Sequence, residues 1–289
     1  MRLPTHLFLH LSILSSLVSG HARIRRPKPL GAPVENPSGN FYNAPLDHLG
    51  SEFPCKNLHL KADIDKAPTQ VWQAGQVGMF EILGHVTAGE GALAAHSGGS
   101  CQASISFDNG TTWKVLHSYH GGCPRDVPLF SNMAGKNQTF TFLVPKDAKA
   151  GIALFAWTWI AVTGQRDEYY MNCASVSITG RGTSTLDSYP DMFVGDMDLP
   201  GHISAGECRS TAGTALLFPN PGPSSRITET ADPKIPFKKP TPGKCFPPGK
   251  PGPVPVPVPR GNPPADAEIG AVMTPAENIV YVEEYDCGG

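Results

Sequence analysis

The residue with most chemistry to offer is His21, because of what stands before it. Arg2 precedes the apolar run Leu7-Phe8-Leu9 through Ile13-Leu14 to Leu17-Val18, which closes at Ser19-Gly20. A basic start, a short apolar stretch and a small residue at the cut are the form of a secretory signal. Cleavage after Gly20 makes His21 the first residue of the mature chain. One residue then presents two nitrogen donors, its α-amino group and its imidazole, which can chelate one metal ion. An α-amino group titrates at roughly 7.7–8.0 in a peptide, so a metal displaces its proton at modest cost. A second imidazole from the folded domain would complete a planar set of three nitrogens. Such a set suits Cu(II), which also heads the divalent affinity order. A histidine at the cut arises by chance in about one chain in thirty at this composition, so its position alone is a weak signal.

Seven other histidines compete for the second ligand. His96 lies in Ala94-Ala95-His96-Ser97-Gly98-Gly99-Ser100-Cys101, where the glycines let the backbone turn and Cys101 can tie the loop down. His85, in Leu83-Gly84-His85-Val86, reads as part of a strand or its end. His117 and His120 are three apart, which on a strand points them to opposite faces and argues against joint chelation. His48, His59 and His202 have no partner pattern and read as surface or loop residues.

The elements that must carry these groups are β-strands. Glycine and proline together make up 61 of 289 residues, and both interrupt regular helix. Short apolar runs alternate with turn residues from His21 to about Gly222, as in an all-β sandwich. Ser104-Ile105-Ser106-Phe107, then Asp108-Asn109-Gly110, then Trp113-Lys114-Val115-Leu116 reads as a hairpin with a glycine turn. Thr139 to Val144 alternates polar and apolar before Pro145. Ile152 to Val162 is apolar throughout, the mark of a strand buried on both faces. Tyr169 to Ile178 is a further strand. It places Tyr170, Asn172, Ala174, Val176 and Ile178 on one face and Met171, Cys173, Ser175 and Ser177 on the other.

Beyond the sandwich, composition changes. Sixteen of the 30 prolines lie between 219 and 264, so 223–265 reads as an extended, disordered Pro-rich linker. A short tail, 266–289, follows and is too small to fold alone. It ends in Asp286-Cys287-Gly288-Gly289, without the apolar tail of a lipid-anchor signal. The net charge of −2 offers no cationic field for nucleic acid or an anionic membrane. The expectation is a soluble, secreted, extracellular protein. Seven cysteines agree with an oxidising destination; one is left over, and the residues alone leave the pairing open. Asn109-Gly110-Thr111 and Asn137-Gln138-Thr139 are candidate glycan sites.

Several of these segments, taken in order, carry a resemblance. Asn43-Ala44-Pro45-Leu46-Asp47 with Gly50-Ser51-Glu52-Phe53-Pro54-Cys55 resembles the early loop of the fungal lytic polysaccharide monooxygenases of auxiliary-activity family eleven. So do His96-Ser97-Gly98-Gly99-Ser100-Cys101-Gln102, the Asp108-Asn109-Gly110 hairpin and Gly121-Gly122-Cys123-Pro124. Ala153 to Trp159 and Glu168-Tyr169-Tyr170-Met171-Asn172-Cys173-Ala174 are similar to that family's late core strands. Gly206-Glu207-Cys208 and Phe218-Pro219-Asn220-Pro221-Gly222 are similar to its C-terminal wrap.

The resemblance implies an immunoglobulin- or fibronectin-like sandwich with long loops and a copper "histidine brace" of His21 and His96. It implies Tyr170 as the axial phenol and Glu168 as the acid that positions an oxygen species or relays a proton. Glu168 and Tyr170 lie two apart and so share a strand face. Cys55–Cys173 and Cys101–Cys123 are the disulfides it implies, which leaves Cys208, Cys245 and Cys287 to compete for one pairing. Ser97 stands where the family has glycine, and Tyr169 where it has methionine; Tyr169 faces away from the metal side and reads as packing.

The activity so implied is oxidative cleavage of an insoluble polysaccharide, chitin, at C1 of the sugar, by a monomer drawing on an external electron donor. The alternative is a secreted histidine-brace protein that only binds copper, or a wall-associated protein whose Pro-rich segment is a tether. A glycoside hydrolase would need two carboxylates facing across a cleft, and no such pair stands out.

Overall fold

The computed structural model describes residues 22–32, 40–83, 94–164 and 167–247. His21, His85, the tail 266–289 and most of the proline run therefore lie outside the described residues. Eleven strands carry the fold: β1 (Ile24–Arg26), β2 (Gln70–Gln73), β3 (Val77–Ile82), β4 (Gly99–Ser106), β5 (Lys114–His120), β6 (Thr139–Leu143), β7 (Gly151–Ala161), β8 (Tyr170–Thr179), β9 (Ala215–Leu216), β10 (Ile227–Glu229) and β11 (Phe237–Lys238). Among the described residues, helix is confined to short pieces at Asn40–Asn43, Cys55–Leu60 and Ser224–Arg226.

A three-stranded sheet in the order β1-β3-β6 packs on a six-stranded sheet in the order β10-β5-β4-β7-β8-β2, and β11-β9 forms a separate pair. The central pairs β4–β5, β4–β7 and β7–β8 are antiparallel, while the edge strands β2 and β10 join in parallel. Between the two sheets lies an aromatic core. Trp72 meets Phe142 edge-on at 5.0 Å, and Phe142 stacks on Phe155 at 6.0 Å and 8°. Such offset and edge contacts add to the area-driven stabilisation of the rings.

The reading of β7 as buried on both faces holds, and β8 beside it is buried on both faces along most of its length. Phe155, Trp157, Trp159 and, on β8, Tyr170, Ala174, Val176 and Ile178 face the inter-sheet core. Leu154, Ala156 and Ile160, with Met171 and Cys173, face a second core that long loops cover. From Ala153 to Ala161 neither face sees water, so the usual polar alternation disappears from that part of β7. The hairpin is present too: β4 pairs antiparallel with β5, and Asn109 and Gly110 take φ of 56° and 89° in its turn.

Three disulfides fasten the loops to the sandwich: Cys55–Cys173, Cys101–Cys123 and Cys208–Cys245. The first two are those the resemblance implies, and the third decides between Cys208's two remaining candidates. Cys287 lies outside the described residues.

One boundary requires correction. The expected linker does not begin at residue 223, because the chain to residue 247 folds back on the domain. β10 adds to the six-stranded sheet beside β5, β11 pairs with β9, Ile235 is buried, and Cys245 is bonded to Cys208. Proline tolerates this arrangement because the segment lies at sheet edges and needs only a few backbone bonds. His59 is a second correction: it is buried at 4% exposure rather than a surface residue. The tight turn at Gly110 presses against it, and a Cβ there would come 3.1 Å from its Nε2.

Candidate metal centre

His96 is presented by a backbone that few residues adopt. Four residues in a row, His96, Ser97, Gly98 and Gly99, have positive φ of 44°, 64°, 77° and 151°. Left-handed backbone costs a non-glycine residue roughly 1–2 kcal/mol, so something must hold it. Ala95 and Ser97 N–H groups donate to the carbonyls of Asn132 and Ser131, at 3.1 and 2.9 Å. The His96 N–H donates to Asn132 Oδ1 at 3.2 Å. From the other side, the N–H groups of Thr163 and Val162 donate to the carbonyls of His96 and Gly98, both at 3.0 Å. Gly99 then passes so close to β7 that a Cβ would lie 2.1 Å from the Ile160 carbonyl oxygen. The glycine is needed there for space as well as for φ.

The His96 imidazole is half-buried and lies over Trp159, with ring centres 6.0 Å apart and planes 28° apart. Tyr170, 1% exposed, fills the next place: its ring is 4.6 Å from that of Trp159 and 6.5 Å from His96. The Tyr170 hydroxyl donates to Glu168 Oε2 at 3.2 Å. Gly164 closes the group from below. A Cβ on it would be 2.7 Å from Glu168 Oε2 and 3.7 Å from His96 Nδ1. The structure thus brings together His96, Glu168 and Tyr170 of the sequence-derived set at one end of the sandwich. Glu168 also borders an open cleft of about 370 Å³ shared with Asp47, Glu52 and Lys56. Burial pushes the Lys56 ammonium below its ordinary value, against the opposing pull of Glu52.

The remaining histidines are used elsewhere. His117 Nε2 is bonded to Thr228 Oγ1 at 2.9 Å, and His120 Nε2 accepts from the Phe218 N–H at 3.3 Å, so the two do not converge on one ion. Tyr169 is fully buried and its hydroxyl donates to the Phe193 carbonyl, which agrees with a packing role. Among the described residues, no group of three His, Cys, Asp or Glu side chains is placed to hold a metal. Any site here requires donors from outside them.

Four residues of this region were missed in the sequence. Trp159 and Gly164 frame His96, Asn132 holds its backbone, and Asn172 holds the chain that follows His21. Asn172 Oδ1 accepts the Ile24 N–H at 2.9 Å, and its Nδ2 donates to the Tyr42 carbonyl at 3.0 Å. Only Asn172 had a readable signal, its place on the Tyr170 face of β8. No local pattern marks Asn132.

No family model matches the chain. An AA11 family lytic polysaccharide monooxygenase A from Aspergillus fumigatus is 36% identical over 216 residues, which cover 71% of this chain and 84% of that protein. An AA11 family lytic polysaccharide monooxygenase from Aspergillus oryzae is 31% identical over 237 residues, 74% of this chain but 50% of the longer relative. Among solved structures, CvAA9A covers 57% of this chain and 78% of its own at a TM-score of 0.36 and 16% identity. The extended catalytic domain of H. jecorina LPMO9A covers 69% and 83% at 0.35 and 14%. By its likeness to the A. fumigatus protein, the chain belongs to the AA11 family of lytic polysaccharide monooxygenases and is, with it, an oxidoreductase.

Proposed function

We propose that the secreted, mature chain begins at His21 and acts as a monomeric copper monooxygenase on chitin, oxidising C1 at the β-1,4 linkage with electrons from an external donor. The observation that carries this reading is the convergence of His96, Tyr170 and Glu168 around Gly164. The start of the chain is tethered to the same end. Ile24 is bonded to Asn172, two residues along β8 from Tyr170, and three residues of chain span at most about 11 Å. That short span supports His21 as the partner of His96.

The donor chemistry fits copper. One imidazole and one phenol among the described residues leave a nitrogen-poor set, which the amine and ring of a terminal His21 would bring to three nitrogens. Copper bound there would supply one-electron chemistry that side chains lack, enough to oxidise a strong C–H bond.

The chain's own groups have separable tasks. Trp159 and the doubly anchored loop hold the His96 ring in one orientation. Tyr170 is locked in the core, and the hydrogen bond its hydroxyl donates to Glu168 leaves its oxygen lone pairs turned from the carboxylate. Glu168, half-buried beside an open cleft, can take or return a proton at Oε2 while remaining in contact with water.

Chitin treated with the copper-loaded protein and a reductant is expected to release aldonic-acid oligosaccharides, and His96→Ala to abolish them. Products undiminished in that variant would overturn the assignment. Copper retention with no glycan oxidation would point instead to a carrier.

A further inference from the structure

Among the described residues the most exposed large apolar side chain is Phe130, at 85%. Its backbone is left-handed, with φ of 63°, a conformation that a bulky residue takes only when its surroundings impose it. What imposes it is the His96 loop. The Phe130 N–H donates to the hydroxyl of buried Ser97 at 2.8 Å, and that hydroxyl also lies 3.2 Å from Thr163 Oγ1. The next two residues receive the remaining bonds: Ser131 and Asn132 carbonyls accept from Ser97 and Ala95, and Asn132 Oδ1 accepts from His96. Residues 130–132 and 95–97 are thus bonded to one another by four hydrogen bonds. The exposed ring and the imposed backbone together motivate a contact at Phe130.

We propose that Phe130 is the aromatic contact on which one sugar ring of the polysaccharide rests, at a fixed offset from His96. This rests on the reading of the site as a polysaccharide monooxygenase. The equatorial C–H face of a β-linked pyranose is an apolar disc rimmed by hydroxyls. A phenyl ring beside the polar Ser131 and Asn132, with exposed Met133 next in sequence, matches that pattern; a lipid or protein partner would call for a broader apolar area. Because the Phe130 backbone is bonded to the His96 loop, the sugar held by its ring would set which linkage lies over the metal. The Ser97 hydroxyl is thus the side-chain group that holds the Phe130 backbone.

The test is depletion binding of the copper-loaded protein, without reductant, to chitin and to cellulose particles, alongside melting curves. One stacked ring contributes on the order of a tenfold change in affinity. Phe130→Ala should bind about tenfold more weakly at an unchanged melting temperature, and Phe130→Trp should restore binding. Phe130→Gly should lose binding while melting no lower than wild type, because glycine relieves the left-handed backbone. Equal binding by wild type and Phe130→Ala on both particles would overturn the inference and leave the copper reading standing. Phe130-dependent binding with no oxidised products from wild type would do the reverse.

Discussion

Asn172→Ala tests how the start of the chain is delivered to the site. Asn172 is 7% exposed and joins two strands of chain: Ile24, itself fully buried, and Tyr42. Truncation leaves the buried Ile24 N–H without its acceptor, a cost of about 1–3 kcal/mol, and removes the bond to Tyr42, worth about 1 kcal/mol net. A central loss of about 3 kcal/mol lowers the melting temperature of a domain of this size by about 6–12 °C. The more telling effect is on copper. If the Ile24 anchor pre-orders the residues before it, binding must supply that order in the variant, and about 1.4 kcal/mol of lost pre-organisation weakens affinity tenfold. Calorimetric titration with Cu(II) should therefore show at least about a tenfold weaker Kd. Asn172→Asp keeps the acceptor for Ile24 and should retain most of the affinity. A melting temperature that falls while the copper Kd stays at the wild-type value would refute the reasoning, since the anchor would then have no part in the site.

Further outcomes follow from the same contacts. Gly164→Ala places a methyl group 2.7 Å from Glu168 Oε2 on a backbone at φ 118°; product formation should fall at least about tenfold while copper is still bound. Tyr170→Phe removes the hydroxyl bond to Glu168 but no core volume, so stability should change by about 0.5–1.5 kcal/mol, with the copper spectrum altered. Cys208→Ser opens a 37-residue link and should cost about 2–4 kcal/mol; limited proteolysis should then cut between 209 and 247. Burial pushes His117 down to about 4 from 6.5. The unfolded chain thus binds the extra proton first, and stability is complete above pH 6.5 and falls as pH drops toward 4. His117→Gln should flatten that part of the melting-temperature profile.

Much of the sandwich can be read directly from its residues. β7 announces itself because burial on both faces demands a continuous apolar run, β8 by its two alternating sets of residues, and the Asp108-Asn109-Gly110 turn because a tight hairpin demands left-handed residues. His96, Glu168 and Tyr170 were legible as candidate site residues through the resemblance, and the fold places them near one another. The segment 223–247 was not, since proline density describes backbone stiffness and says nothing of the Cys208–Cys245 bond or of the edge beside β5 that captures β10. Nor were Asn132 and Phe130, whose importance lies in bonds to residues more than thirty positions away. His59 escaped for the same reason: its burial depends on the distant Gly110 turn.

The central claim is that one copper ion is held by the amine and ring of His21 together with the ring of His96. An electron paramagnetic resonance spectrum of the secreted protein loaded with one equivalent of Cu(II) tests it most directly. Three nitrogens coupled to the metal, reduced to two in His96→Ala, is the result the account predicts. A spectrum with fewer nitrogens, or one that His96→Ala leaves unchanged, would contradict it.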